Sequence, residues 1–111
     1  MPEKVLWIKS WLLDYIISGS KDLDVRVGLY NIRKLTVDDQ RRFSCKKRSC
    51  LVRITAIRKY SSFRHMLNFE DHNRIVPGMP PLTLLGELRQ IYPSDKERLG
   101  VYVIEFEKES P

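Results

Sequence analysis

Cysteine and histidine are scarce in this sequence of 111 residues, which contains two of each. Two cysteines are too few for a disulfide scaffold. The spacing of Cys45, Cys50, His65 and His72 does not match a zinc finger. We therefore expect two free thiols beside a hairpin, no metal site and no cofactor.

Long hydrophobic runs are also missing. A membrane span needs roughly 20 apolar residues, and Lys9 and Asp14 interrupt the one candidate segment. The same two charges argue against a secretory leader, although residues 18–20 resemble a cleavage site. We therefore expect a cytoplasmic protein that does not contact a membrane. The length fits a single domain over residues 1–111.

Acidic residues are rare between Arg33 and Arg64. This stretch has eleven Lys or Arg against Asp38 and Asp39, a balance of +9, so the remainder carries −3 of the formal net charge of +6. Such polarisation is typical of nucleic-acid binders. The alternative is a set of basic residues scattered over the folded surface. The predicted nucleic-acid surface consists of Lys46, Lys47, Arg48, Arg53, Arg58 and Lys59.

Hydrophobic periodicity predicts an α+β fold, a small mixed β-barrel with flanking helices. The predicted strands are Lys4–Ile8, Leu23–Val27, Arg41–Ser44, Cys50–Lys59 and Gly100–Glu107. The predicted helices are Ser10–Ser18 with Ser10 as cap, Ser62–Phe69, and a segment capped by Thr83 that ends before Pro93. Irregular connections are expected at Leu29–Asp39 and in the proline-rich stretch Arg74–Pro81. In the long strand, Val52, Ile54 and Ala56 are expected to share a face opposite Ile57.

Large aromatic residues cluster near the first predicted helix, which is apolar on nearly every side. Trp7, Trp11 and Tyr15 could stack on nucleobases, but big aromatic residues beside an apolar helix are more typical of a core. We therefore expect the helix and these side chains to be buried. His65 is more typical of a surface histidine than of an acid or base.

The stretch Gly19–Arg26 changes the pattern from helical to alternating. Gly19 is suited to the left-handed conformation that ends a helix. The apolar Leu23, Val25 and Val27 then alternate with charged residues. The corner thus delivers Lys21, Asp24 and Arg26 as a candidate polar site. The alternative is an exposed Asp24–Arg26 ion pair of little energetic value.

Gly19-Ser-Lys-Asp-Leu-Asp-Val-Arg26 resembles the Gly-x-Lys-x-x-Glu-x-Arg signature of ASCH domains, a family with the PUA-like fold. Further landmarks follow in that family's order at residues 57–63, 75–78, 91–93 and 100–106. The chain is most similar to short stand-alone prokaryotic members. Two positions depart from the pattern. Asp24 replaces a glutamate, and Asp38-Asp39 replaces Gly-Asp before a strand, which puts the shape of that turn in question.

The resemblance implies a cleft between barrel and helix, with Lys21, Asp24 and Arg26 at its mouth, that binds RNA, a nucleotide or a nucleoside. One bacterial branch of the family instead hydrolyses the acetyl amide of acetylated cytidine. It uses a lysine at the position of Lys21, a threonine at the position of Asp24 and a distant glutamate. In that alternative Lys21 and Asp24 are the catalytic candidates, while Glu70 and Asp71 are only neighbours in the right loop region. A protein-interaction module using the proline-rich loop is a third possibility.

Overall fold

A computed structural model describes residues 4–109. Within that range, five strands form one mixed sheet in the order β1-β3-β4-β5-β2. The strands are β1 (Val5–Trp7), β2 (Leu23–Val27), β3 (Gln40–Cys45), β4 (Arg48–Tyr60) and β5 (Val101–Lys108). β1 and β3 are parallel, and the other neighbours are antiparallel. The sheet curls into a half-barrel flanked by helices, which confirms the predicted α+β class and barrel-type architecture.

The helices are α1 (Ser10–Ser18), α2 (Tyr30–Arg33), α3 (Phe63–Leu67), α4 (His72–Ile75), α5 (Pro81–Ile91) and α6 (Ser94–Glu97). Three of them correct the sequence prediction: α2 lies in a stretch expected to be irregular, the last two residues of α4 lie in another such stretch, and α6 was not predicted. Each has four residues and buries at most one side chain, Ile32 in α2 and Ile75 in α4. So short a helix shows no hydrophobic period. None of the helices in residues 4–109 is long and apolar enough to cross a membrane.

Two predicted N-caps are wrong. Ser10 and Thr83 lie inside their helices, and the residues at the N-cap positions are Lys9 and Pro80. In α5 the first helical position is a proline, whose fixed φ suits that position. The end of α1 is as predicted, because Gly19 has φ 88° and its amide donates to the Ile16 carbonyl.

The sheet separates two buried clusters. The odd-numbered residues of β2, Leu23, Val25 and Val27, pack with residues of α3, α5 and β5. Leu13 and Ile16 of α1 pack into the second cluster with the inner residues of β3, β4 and β5. Side chains alternate along a strand, so the packing of its odd residues places the charged residues of β2 on its other face.

A β-bulge corrects the predicted facing of β4. The register against β5 shifts between Ile54 and Ala56. Val52 and Ile54 belong to the second cluster, but beyond the bulge it is Ile57 that packs against it. The extra residue reverses the alternation, so Ile57 shares the face of Ile54.

The turn before β3 holds Asp38 at φ 77°, a left-handed conformation that favours glycine. The Asp38 amide donates to the Ile54 carbonyl, and the Asp39 carboxylate accepts from the Thr36 amide at 2.9 Å. An aspartate therefore stands at a position whose backbone conformation glycine adopts more readily.

Candidate ligand-binding cleft

The half-barrel brings its two edge strands, β1 and β2, close together. Arg26 of β2 donates from Nη2 to the Trp7 carbonyl oxygen of β1 at 2.9 Å. We call this junction between β1 and β2 the seam. Because an edge strand has unpaired carbonyls, the guanidinium satisfies one of them and links the two edges.

Three charged side chains meet at the seam. Arg26 Nε donates to Asp24 Oδ2 at 2.5 Å, and Lys21 Nζ lies 3.5 Å from Asp24 Oδ1. Lys21 is 2% exposed and Asp24 5% exposed. The structure thus brings together all three candidate residues as a buried cluster with a net charge of +1, and the alternative of an exposed Asp24–Arg26 pair is wrong.

Lys21 is anchored by backbone carbonyls as well as by Asp24. Its Nζ donates to the Leu23 oxygen at 2.6 Å and to the Ile75 oxygen at 2.8 Å. An ammonium has three donors, and here three acceptors face it. Lys21 therefore ties α4 to β2, and each of its three donors has an acceptor inside the protein.

The pKa shifts follow from burial and from the neighbouring charges. Burial lowers the pKa of Lys21, although Asp24 opposes that shift. Burial alone would raise the pKa of Asp24, but the charges of Arg26 and then Lys21 outweigh it and lower the pKa. Burial would likewise lower the pKa of Arg26, and Asp24 raises it instead. The carboxylate is therefore ionised at neutral pH.

A cleft of about 250 Å³ opens over this cluster, and its walls are largely apolar. Trp7 and Trp11 line it from β1 and α1, while Glu87 and Tyr92 line it from the side of α5. Trp7 is 66% exposed and Trp11 46% exposed, so the prediction that these two side chains are buried is wrong. Leu13 and Ile16 occupy the buried side of α1, and at about 100° per residue Trp11 points away from them.

Sequence reasoning missed Glu87 and Tyr92. Both come from the end of the chain opposite to the Gly19–Arg26 signature, and only the fold brings them to the cleft. Tyr92 lies in the landmark at residues 91–93, and Glu87 directly precedes Leu88 of the predicted apolar face of α5. These were the available signals.

The predicted nucleic-acid surface lies away from the cleft, because none of its six residues is among those that line it. Its three arginines are paired with acids: Arg48 with Asp14, Arg53 with Glu107 and Glu109, and Arg58 with Glu70 and Glu105. Its three lysines, Lys46, Lys47 and Lys59, form no ion pair within the described range. The role of this surface stays a prediction.

The two acidic residues considered for the hydrolase alternative are engaged elsewhere. Glu70 accepts from Arg58 Nε and Nη2 at 2.7 and 2.9 Å and from the Tyr60 hydroxyl. Asp71 caps α4 by accepting from the Asn73 amide. Neither lines the cleft.

The two cysteines lie beside the β3–β4 hairpin as free thiols, as predicted. Cys45 ends β3, and Cys50 lies opposite Phe43 in β4. Both belong to the edge of the second buried cluster rather than to the cleft.

No family model and no curated protein matches the sequence. Among solved structures, the crystal structure of the hypothetical protein PH0355 is 26% identical with a TM-score of 0.88, covering 97% of this chain and 100% of that one. The solution structure of PF0455 from Pyrococcus furiosus is 28% identical with a TM-score of 0.80, covering 99% and 100%. An ASCH domain from Lactobacillus crispatus is 14% identical with a TM-score of 0.70, covering 95% and 78%. The resemblance noted in the sequence is therefore confirmed at the level of the fold: the chain has the fold of an ASCH domain.

Proposed function

We propose that the protein binds RNA, or a nucleotide or nucleoside, in the cleft over Lys21, Asp24 and Arg26. One observation carries the proposal: a buried cluster with a net charge of +1 lies beneath an apolar cleft whose wall exposes two tryptophans. Every nucleobase has a flat face that stacks on an indole ring, and the phosphate of a nucleotide or of RNA is an anion. The cleft offers a partner for each of these two groups.

Of the two cations in the buried cluster, Arg26 is the one that can touch the ligand. A guanidinium has five N–H donors, and Arg26 uses Nε for Asp24 and Nη2 for the Trp7 carbonyl. Its side chain is 18% exposed, whereas that of Lys21 is 2% exposed. The remaining donors form a planar fork that suits a phosphate or a base carbonyl. Asp24 holds this fork in place.

The size of the cleft favours a single unpaired nucleotide. Its volume of about 250 Å³ lies below the roughly 300–1,000 Å³ of pockets for drug-sized ligands. A base in a duplex is stacked on both faces and cannot enter such a cleft. We therefore expect single-stranded RNA to bind better than a duplex of the same sequence.

Fluorescence anisotropy of a labelled single-stranded RNA tests the proposal. We expect Trp11→Ala to weaken binding about tenfold, since stacking on an aromatic ring contributes about 1–3 kcal/mol per base. Phe69→Ala is the control, because Phe69 is also an exposed aromatic residue but does not line the cleft. We also expect affinity to fall steeply with salt. Equal effects of the two variants, salt-independent binding, or no binding would contradict the proposal.

The amide-hydrolase alternative needs a nucleophile and a proton shuttle. In the cleft, Asp24 stands where that mechanism has a hydroxyl, and its carboxylate lies between two cations. Lys21 faces three acceptors. We therefore expect no release of acetate when the protein is incubated with acetylated cytidine. Turnover that disappears in Lys21→Ala would make the protein a hydrolase instead.

A further inference from the structure

A second cavity, of about 380 Å³, lies between β1 and the short helix α2. We call it the basic pocket and define it by Lys4, Tyr30, Lys34 and Arg41, which line it together with apolar residues of β1. None of its lining residues is shared with the cleft.

The basic pocket carries an excess of positive charge. Three cations line it, and no carboxylate of residues 4–109 does. Within that range, the one acid paired with a lining residue is Asp39, whose Oδ2 lies 3.2 Å from Arg41 Nη2. Lys4 and Lys34 form no ion pair within residues 4–109, in contrast to Arg53 and Arg58. With Asp39 counted, three cations minus one anion leave +2.

The basic pocket also has an aromatic platform. Tyr30 is 65% exposed, and Lys34 Nζ lies 4.2 Å from the centre of its ring. A cation over an aromatic face is held near that face. The ring lies beside Lys34, and Lys4 lines the same pocket. The pocket therefore combines the two elements of a site for single-stranded nucleic acid, a stacking surface and cations for the backbone.

The seam connects the basic pocket with the cleft. On one side, the chain runs from Lys4 at the pocket through β1 to Trp7 at the cleft, three residues or about 10 Å along an extended backbone. On the other side, β2 runs from Asp24 and Arg26 toward α2, which begins at Tyr30. Both strands therefore lead from one cavity to the other, and a ligand only a few nucleotides long spans the distance.

We infer that the basic pocket binds the phosphodiester backbone of the strand whose base occupies the cleft, so that the ligand is a single-stranded oligonucleotide rather than a free nucleoside. This inference rests on the proposed function, because it assumes that the cleft takes a base. The phosphates lie against Lys4, Lys34 and Arg41, and a neighbouring base stacks on the face of Tyr30 that Lys34 does not cover.

Two ligands and two double variants separate the inference from the proposed function. The ligands are a labelled single-stranded RNA of about eight nucleotides, within the usual site sizes, and a nucleoside monophosphate. The pocket variant is Lys4→Ala with Lys34→Ala. The matched control is Arg89→Ala with Lys96→Ala, which removes the same charge from exposed positions that line neither cavity.

We expect the pocket variant to bind the RNA about tenfold more weakly than the control and to bind the monophosphate equally well. For single strands the slope of log K against log salt changes by about 0.7 per phosphate contact, so losing two contacts lowers it by about 1.4. Tyr30→Ala should also weaken RNA binding, while Tyr30→Phe should retain it.

Equal RNA affinity of the pocket and control variants overturns the inference. The inference is also overturned if polyglutamate displaces the labelled RNA as effectively as unlabelled RNA does. If Trp11→Ala still weakens binding in that case, the proposed function stands alone. If the unmodified protein binds neither ligand, both fail.

Discussion

Replacing Asp24 by asparagine removes the carboxylate that lies between the buried ammonium of Lys21 and the partly buried guanidinium of Arg26. The change keeps the size of the side chain, but it leaves Lys21 and Arg26 as two like charges with little access to water. Removing one partner of a buried ion pair typically destabilises a protein by about 3–5 kcal/mol. A chain of this size has a total stability of roughly 5–15 kcal/mol, so we expect the Asp24→Asn protein to lose a large share of it.

Asp22→Asn is the matched control for this substitution. Asp22 lies two residues away and pairs with Arg74 at 2.7 Å, but both side chains are about two-fifths exposed. Exposed pairs contribute about 0–1 kcal/mol. In urea denaturation with a slope of roughly 2 kcal/mol per molar, we expect the midpoint to fall by about 2 M for Asp24→Asn and by less than about 0.5 M for Asp22→Asn. Equal shifts would refute the role of Asp24 as counter-ion to the two cations.

The same comparison has a pH dependence of known sign. The pKa of Asp24 is lower in the folded protein than its ordinary value, so the unfolded chain binds the proton more tightly. The stabilisation is therefore fully present above the unfolded pKa of about 3.9 and is lost as the pH falls through the folded pKa. We expect the difference in unfolding free energy between the unmodified protein and Asp24→Asn to stay constant from neutral pH to about pH 5. It should then shrink in more acidic solution, and a difference that grows there would contradict the assignment.

Two further predictions concern the backbone and are measured by thermal unfolding. Gly28→Ala should destabilise the fold by about 1–3 kcal/mol, because a Cβ there would lie 2.5 Å from the Leu99 carbonyl oxygen. Gly86 lies in α5, where an added Cβ meets open space. Gly86→Ala should therefore stabilise the fold by up to about 1 kcal/mol. Asp38→Gly should stabilise the protein by about 0.5 kcal/mol, because φ is 77° at that residue. Val37→Gly, at the preceding position, should destabilise it. If both substitutions change the stability in the same direction, the left-handed backbone at Asp38 carries no strain.

The local part of the site could be predicted from the sequence. Alternation along β2 places Asp24 and Arg26 on one face, and Gly19 fixes the corner that precedes them. These contacts span only a few residues, and the period of a strand determines them. The burial of Lys21 did not follow from spacing, since its acceptors include the Ile75 carbonyl, 54 positions along the chain.

The residues that form the walls of the cleft could not be predicted, because the hydrophobicity of a side chain does not determine which element packs over it. Trp7 and Trp11 are residues typical of a core. However, β1 is an edge strand of three residues, and α1 buries the side opposite to Trp11. The basic surface illustrates the same limit. The charge count places Arg58 with the other cations, while its partners Glu70 and Glu105 come from separate elements. The charge counted along a segment of the sequence is therefore a weaker guide to a binding site than the charge of the residues that line a cavity.

Arg26 links the stability of the fold to the proposed binding. It joins the two edges of the half-barrel through the Trp7 carbonyl, and Asp24 fixes its orientation. Because the buried cluster has a net charge of +1, an anion in the cleft would neutralise it. A ligand that binds only the folded chain stabilises it in proportion to the logarithm of its concentration. Binding of a phosphate-bearing ligand should therefore stabilise the seam against unfolding. The positive charge that attracts the ligand is the same excess charge that is otherwise kept away from water without a counter-ion.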